Sequence, residues 1–193
     1  MRKLVLIAAM TAASATPALA QPAAPFTGPR VEGVVGWDRA GRNGVGNNDG
    51  IAYGVGAGYD FQLGGAVVGV EGEAADATTD RCAGGVSVPG DELCFKAKRD
   101  LYVGARVGGV IGDRTLLYAK GGYTNARFGL DYDDGATGAG NFKSGTNLDG
   151  FRVGAGVERG IGRNSFVKAE YRYSNYQQGF DRHQVVTGVG VRF

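Results

Sequence analysis

After residue 20 the sequence has no apolar run approaching the ~20 residues that a spanning helix needs. If this chain enters a membrane, it does so as strands. Excess charge of one sign is also missing. The chain carries 21 Lys and Arg against 19 Asp and Glu, and two of the bases, Arg2 and Lys3, lie in its first three residues. Without them the chain is formally neutral, and no basic field points to nucleic acid. There are only two cysteines, Cys82 and Cys94, and without neighbouring histidines they make half a zinc site. The only histidine is His183. Asp131-Tyr132-Asp133-Asp134-Gly135 starts like a calcium loop, but Phe142 stands where an EF-hand needs Glu. Glycine is abundant, at 36 residues, yet shows no collagen period and interleaves with Val, Ala and Tyr. In such a chain, G-x-G-x-x-G-like spacings carry no meaning.

Residues 1–20 read as an export signal. Arg2 and Lys3 give the basic start, Leu4–Ala15 is apolar, and Ala18-Leu19-Ala20 is a small-residue cleavage site. Residues 21–29, with Pro22, Pro25 and Pro29, read as a short flexible periplasmic leader. Residues 30–193 are then one domain.

That domain alternates with period two. In the last eleven residues, Val185, Thr187, Val189, Val191 and Phe193 share an uncharged face. Seven earlier segments do the same, around Val31–Trp37, Ile51–Phe61, Val68–Ala74, Leu101–Ile111, Leu117–Tyr123, Phe151–Val157 and Val167–Tyr173. A charge at mid-membrane on such a face costs ~2–4 kcal/mol, so its absence is what lipid demands. The opposite face carries Glu32, Glu71, Glu73, Arg106, Lys120, Arg152, Glu158, Lys168, Glu170, Arg172 and Arg192, with glycine at most positions between. Short connections (62–66, 112–114, 160–164) alternate with long polar ones (40–50, 78–98, 129–148, 175–182). This is the build of an outer-membrane barrel with periplasmic turns and both termini on that side. Trp37, Tyr53, Phe151, Tyr171 and Tyr173 then fall at the outer interface, and Tyr59, Phe61 and Phe193 at the inner one. The fold expected is all-β, an eight-stranded antiparallel up-and-down transmembrane barrel. A soluble barrel of the lipocalin kind shares the alternation. It lacks a reason for the aromatic ends, the loop asymmetry and the terminal Phe193.

The terminal strand resembles the signal read by the outer-membrane assembly machinery, through Gly188, Val191 and Phe193, although Val186 stands where that signal usually opens with a polar residue. LLYAKGGYTNA (116–126), VGAGVE (153–158) and VKAEYRYSNY (167–176) are similar to the small outer-membrane β-barrel proteins of the opacity-type surface-antigen and OmpA/OmpX-like group, the "porin family". The resemblance implies the fold and the compartment, and envelope integrity or adhesion as roles.

An eight-stranded barrel is only wide enough for its own interior side chains. The inward charges, with Glu71, Glu73, Arg106, Lys120, Glu158, Lys168, Glu170 and Arg172 as the central set, are therefore expected to pair across a plugged lumen. A two-residue turn at Gly64-Gly65 sets Glu71 opposite Gly58, Glu73 opposite Gly56 and Asp60 opposite Gly69. Around the next turn Arg106 faces Lys120. Counting from the turns then puts Glu71, Arg106, Lys120 and Glu170 in one layer, with Glu71 and Arg106 as partners. Cys82 and Cys94, in the longest connection, are expected to form a disulfide worth ~3 kcal/mol in the chain-entropy model.

The function expected is that of a monomeric, surface-exposed structural or interaction protein of the cell outer membrane, with no cofactor and no catalytic role. Its partners would be lipopolysaccharide and phospholipid, the assembly machinery, and an extracellular ligand met through 40–50, 78–98, 129–148 and 175–182. A narrow pore for ions or small solutes is the second reading. An enzyme acting on lipid or peptide is the third, resting on His183 at the rim with Ser174 and Asp181 nearby in sequence.

Overall fold

Strands that alternate faces over their whole length can bury only one of them, and closing the sheet on itself makes that face the interior. The computed structural model describes residues 25–42, 45–78, 80–84, 92–133 and 142–193. Its strands are β1 (Gly28–Arg42), β2 (Val45–Leu63), β3 (Ala66–Ala77), β4 (Asp80–Gly84), β5 (Glu92–Ile111), β6 (Thr115–Asp133), β7 (Phe142–Gly160), β8 (Ser165–Tyr176) and β9 (Phe180–Arg192). All pairings are antiparallel, in the order β3-β2-β1-β9-β8-β7-β6-β5-β4, and β3 also pairs with β5 to close the ring. Because β3 and β4 run one after the other along the same edge of β5, they form a single stave, and the barrel has eight.

The apolar face is outside. Val55, Val103 and Val189 are each more than 60% exposed, the reverse of a soluble ligand-carrying barrel. On β7 the outward residues Phe151, Val153, Ala155 and Val157 lie between Asp149 and Arg159. Ten residues at ~3.3 Å each, tilted by ~40°, give an uncharged band roughly 25 Å tall. Trp37, Tyr53, Phe151 and Tyr171 stand exposed at its upper edge, and Tyr59, Phe61 and Phe193 at its lower edge.

At the short-turn end, Gly64 takes a φ of +63° at the first central position of the Leu63–Ala66 hairpin, as the II′ class of turn requires. At Gly28 (φ +124°) a β-carbon would strike the Phe193 carbonyl oxygen, so only glycine lets the start of β1 lie this close to Phe193. The Phe193 amide donates to the Pro29 carbonyl at 2.9 Å.

Two expectations are corrected here. The described residues of 40–50, 78–98 and 129–148 are almost all strand, not loop, because β1, β2, β5, β6 and β7 run on past the membrane band and β4 is added beside β5. Range 175–182 holds the end of β8, a 3₁₀ turn and the start of β9. In β5 and β6 the period-two alternation continues past the band, through Leu93 and Phe95 and through Phe128, Leu130 and Tyr132, and the backbone pairing continues with it. In β5 one extra residue between Ala97 and Asp100 forms a bulge where the stave leaves the band. Cys82 and Cys94 are thus on strands, directly opposite one another in the β4–β5 register. The second correction concerns the leader. Gly28 and Pro29 already belong to β1, and Phe26 is buried with Val67, Leu116 and Tyr118 under the short-turn end.

Candidate functional site: the barrel interior

Inward parity puts Arg30, Glu32 and Asp38 of β1 inside, with Asp60 of β2, Glu71 and Glu73 of β3, and Asp100 and Arg106 of β5. The other side of the ring adds Lys120, Arg152, Glu158, Lys168, Glu170, Arg172, Arg182 and Arg192. Each is no more than 7% exposed. Eight are acids and eight are bases, so among the described residues the interior charges sum to zero. Glycines make room for them. Gly58 lies opposite Glu71, Gly56 opposite Glu73 and Gly69 opposite Asp60. A β-carbon at Gly69 would run into Asp60 Oδ1 and come within 2.8 Å of the Tyr59 carbonyl.

The sixteen side chains form one connected ladder. At the short-turn end Asp60 accepts from Arg30 Nε (3.1 Å), Arg106 Nε (2.8 Å) and Arg192 Nη1 (2.7 Å). Glu158 joins Arg106 (3.0 Å) to Arg192 (2.6 Å). Arg30 links upward to Glu71, and Lys120 Nζ bridges Glu71 (2.7 Å) and Glu170 (2.9 Å). Lys168 joins Glu32 (2.6 Å) to the same Glu170 (3.5 Å), which also accepts from the Tyr118 phenol at 2.6 Å. Arg172 binds Glu170 and reaches Glu73 through both terminal nitrogens, at 2.5 and 2.7 Å. Arg152 continues from Glu73 (3.7 Å) to Asp100, and Arg182 from Asp100 (2.9 Å) to Asp38 (2.5 and 2.9 Å). Such charge-assisted forks are the strong form of the hydrogen bond. Aromatic faces cover several cations, with Lys120 Nζ 4.7 Å from the Tyr102 ring and Arg106 5.0 Å from that of Tyr118.

Apolar side chains cluster near both ends of the ladder. Phe26, Val67 and Leu116 lie at the short-turn end and pack against Tyr118, with Arg192 5.6 Å from the Phe26 ring and bonded to the Phe26 carbonyl at 2.7 Å. Ala126, Leu148 and Tyr176 lie above it, with Phe180 packed against them.

The layer expected from counting is divided. Glu71, Lys120 and Glu170 are in direct contact, but Arg106 pairs with Asp60 and Glu158 below them and not with Glu71. Across the lumen, barrel stagger decides which heights meet, and a guanidinium reaches a neighbour above or below its own level. Arg106 does stand opposite Lys120 on the wall, as the hairpin arithmetic requires. Counting missed Arg30, Asp38, Asp100 and Arg182 as members. All four lie one or two period-two steps beyond the apolar segments, and extending the parity would have found them.

Of the other residues singled out, Gly188 packs inward against Val34 and Lys168, Val191 faces lipid, and Phe193 is 72% exposed at the chain's end. Ser174 is inside, accepting from Arg152 Nε at 2.8 Å. His183 lies on the outer surface, with its Nδ1 2.7 Å from the Tyr171 phenol oxygen and its Nε2 3.3 Å from Asp181. The Ser–His–acid group is therefore not assembled. Among the described residues no group of three His, Cys, Asp or Glu side chains is placed to hold a metal ion. Above the band, Arg39 donates to Asp49 at 2.9 Å and this bond holds the carboxyl below its ordinary range.

Comparison with known proteins agrees with this geometry. The family described as "Outer membrane protein beta-barrel domain" matches residues 5–193. A 22 kDa outer membrane protein of Rhizobium leguminosarum bv. viciae is 30% identical over 162 residues, 76% of this chain and 70% of that one. Among solved structures, Neisserial surface protein A is similar with a TM-score of 0.60 at 17% identity, covering 86% of this chain and 98% of that one. The attachment invasion locus protein Ail of Yersinia pestis is similar with a TM-score of 0.58 at 17% identity, over 86% and 99%. Ail has also been solved in complex with the heparin analogue sucrose octasulfate. The outward apolar band, the closed eight-stave ring and the match along nearly the whole sequence agree, and the chain belongs to the outer membrane protein beta-barrel family as an integral protein of the cell outer membrane.

Proposed function

We propose that this barrel has a closed lumen and acts at the cell surface, as a structural and interaction protein in envelope integrity or adhesion. The observation that carries this reading is the neutral ladder of eight acids and eight bases with an apolar cluster near each end. A selective pore built on charge rings needs room for water beside its charges. Here each inward charge is within ion-pair reach of an opposite one, the arrangement that offsets the several kcal/mol cost of burying an ion. Binding then falls to the outer strands and connections within 40–50, 78–98, 129–148 and 175–182. That Ail, of the same fold, was solved with a heparin analogue supports an extracellular ligand here by analogy of fold alone. On this reading residues 1–20 direct export, Gly188, Val191 and Phe193 direct assembly, and Cys82–Cys94 braces the outer strands.

The test uses Ser174, fully buried on the inner face. In a background with both native cysteines changed to Ser, Ser174→Cys in the folded barrel should resist water-soluble thiol reagents and react once the barrel is boiled in detergent. Rapid labelling of the folded protein would mean a wet lumen and a pore.

A further inference from the structure

The interior charges cancel, but the short-turn rim does not. Arg114, Arg159 and Arg163 are exposed there with Asp113 as the only acid of those turns. The three come from neighbouring elements. The Gly160 amide donates to the Arg114 carbonyl at 2.9 Å, tying the β5–β6 turn to the β7–β8 turn. Arg159 stands opposite Thr115 and donates to its hydroxyl at 3.4 Å. Among the described residues none of the three has a carboxylate partner within ion-pair distance. On the lipid face Ile111 and Leu117 stand above the arginines and Ile161 sits in the turn between Arg159 and Arg163, each at least 55% exposed.

Arginines with unmatched charge, set just below exposed aliphatic side chains at the edge of the band, fit a molecule that is anionic at one end and apolar at the other. Guanidinium forks match phosphate oxygens, and basic residues at a membrane surface favour anionic over zwitterionic lipid. We propose that Arg114, Arg159 and Arg163 form a site for the phosphate headgroup of an anionic phospholipid of the inner leaflet, of the phosphatidylglycerol or cardiolipin class. Its acyl chains lie along the staves above. The site requires the short turns to be periplasmic, as in outer-membrane barrels generally. It does not depend on whether the lumen is closed.

A local probe tests this. With Trp37→Phe removing the single native tryptophan and Ile161→Trp placing a fluorophore between Arg159 and Arg163, the full-length protein is folded into vesicles of phosphatidylglycerol and phosphatidylcholine in fixed ratio. One lipid or the other is brominated. Brominated phosphatidylglycerol should quench more than its mole fraction predicts, a preference on the order of fivefold. R114Q/R159Q/R163Q should abolish the preference, and the corresponding triple change to Lys should keep most of it. Heat-shifted gel mobility reports that each barrel is folded. If the triple Gln variant fails to fold, Arg163→Gln alone, in a turn, should lower the preference. Equal quenching by both lipids in the parent, or an unchanged preference in the Gln variants, would overturn the site. Loss of the preference on adding millimolar glycerol phosphate would assign the arginines to free phosphate and overturn the lipid assignment.

Discussion

Asp60 is shared by three arginines at the short-turn end of the ladder, and its removal is a sharp perturbation of it. It accepts from Arg30, Arg106 and Arg192, while Arg106 spends two of its three bonds on Asp60 and the third on Glu158. Breaking a buried ion pair typically costs ~3–5 kcal/mol, because the remaining charge is stranded. Arg106→Ala leaves Asp60 with two other arginines, so its cost should sit at the low end, about 3 kcal/mol. Asp60→Ala leaves three guanidinium groups with fewer acids among them, so it should cost about 5 kcal/mol. The double substitution should cost roughly 5–6 kcal/mol, a coupling of about 2–3 kcal/mol. Urea unfolding of the barrel in lipid vesicles, followed by fluorescence, measures all three. The same cycle on Glu71 and Arg106, which are not in contact, should give a coupling under about 1 kcal/mol. If the Asp60 and Arg106 costs simply add, or if Arg106→Ala costs more than Asp60→Ala, the shared-carboxylate account is wrong.

Phe26→Ala should lower the unfolding free energy in the same assay by about 3 kcal/mol, as for a buried core phenylalanine, whereas a truly flexible leader would show no change. Gly69→Ala should impair folding, seen as lost heat-shifted mobility, because its β-carbon meets Asp60 and the Tyr59 carbonyl. Gly33→Ala faces open space and should stay within about 0.5 kcal/mol of the parent. Mass spectrometry of unreduced peptides should find Cys82 joined to Cys94, which the β4–β5 register sets opposite one another. Because the pair lies outside the membrane band, Cys82→Ser should leave the barrel's heat-shifted mobility intact, and loss of assembly would contradict that placement.

Much of the wall was legible in the sequence. Gly64-Gly65 fixes the β2–β3 register, and from it follow the pairings of Glu71 with Gly58 and Asp60 with Gly69. The outward band was legible too, since lipid forces uncharged residues such as Val153, Ala155 and Val157 onto every second position. The interior was legible as a composition but not as a set of partners. Which acid meets Arg106 depends on the stagger of staves that face each other across the lumen, and no local pattern records it. The outer strands were missed although Leu93 and Phe95, and Phe128, Leu130 and Tyr132, keep the period-two alternation, because the charged residues around them read as a polar connection. Phe26 was hidden by the prolines around it. Its one signal was an aromatic side chain in a segment otherwise made of small residues and proline.

The central claim, a closed lumen, is tested most directly by adding the purified, folded protein to planar lipid bilayers and recording current at fixed voltage. A ladder with every rung filled and an apolar cluster near each end predicts no steady channels above the bare-bilayer baseline. Stable unitary steps that appear with the wild-type protein and change size in Asp60→Ala or Arg106→Ala would place a water-filled path through these residues and contradict the account.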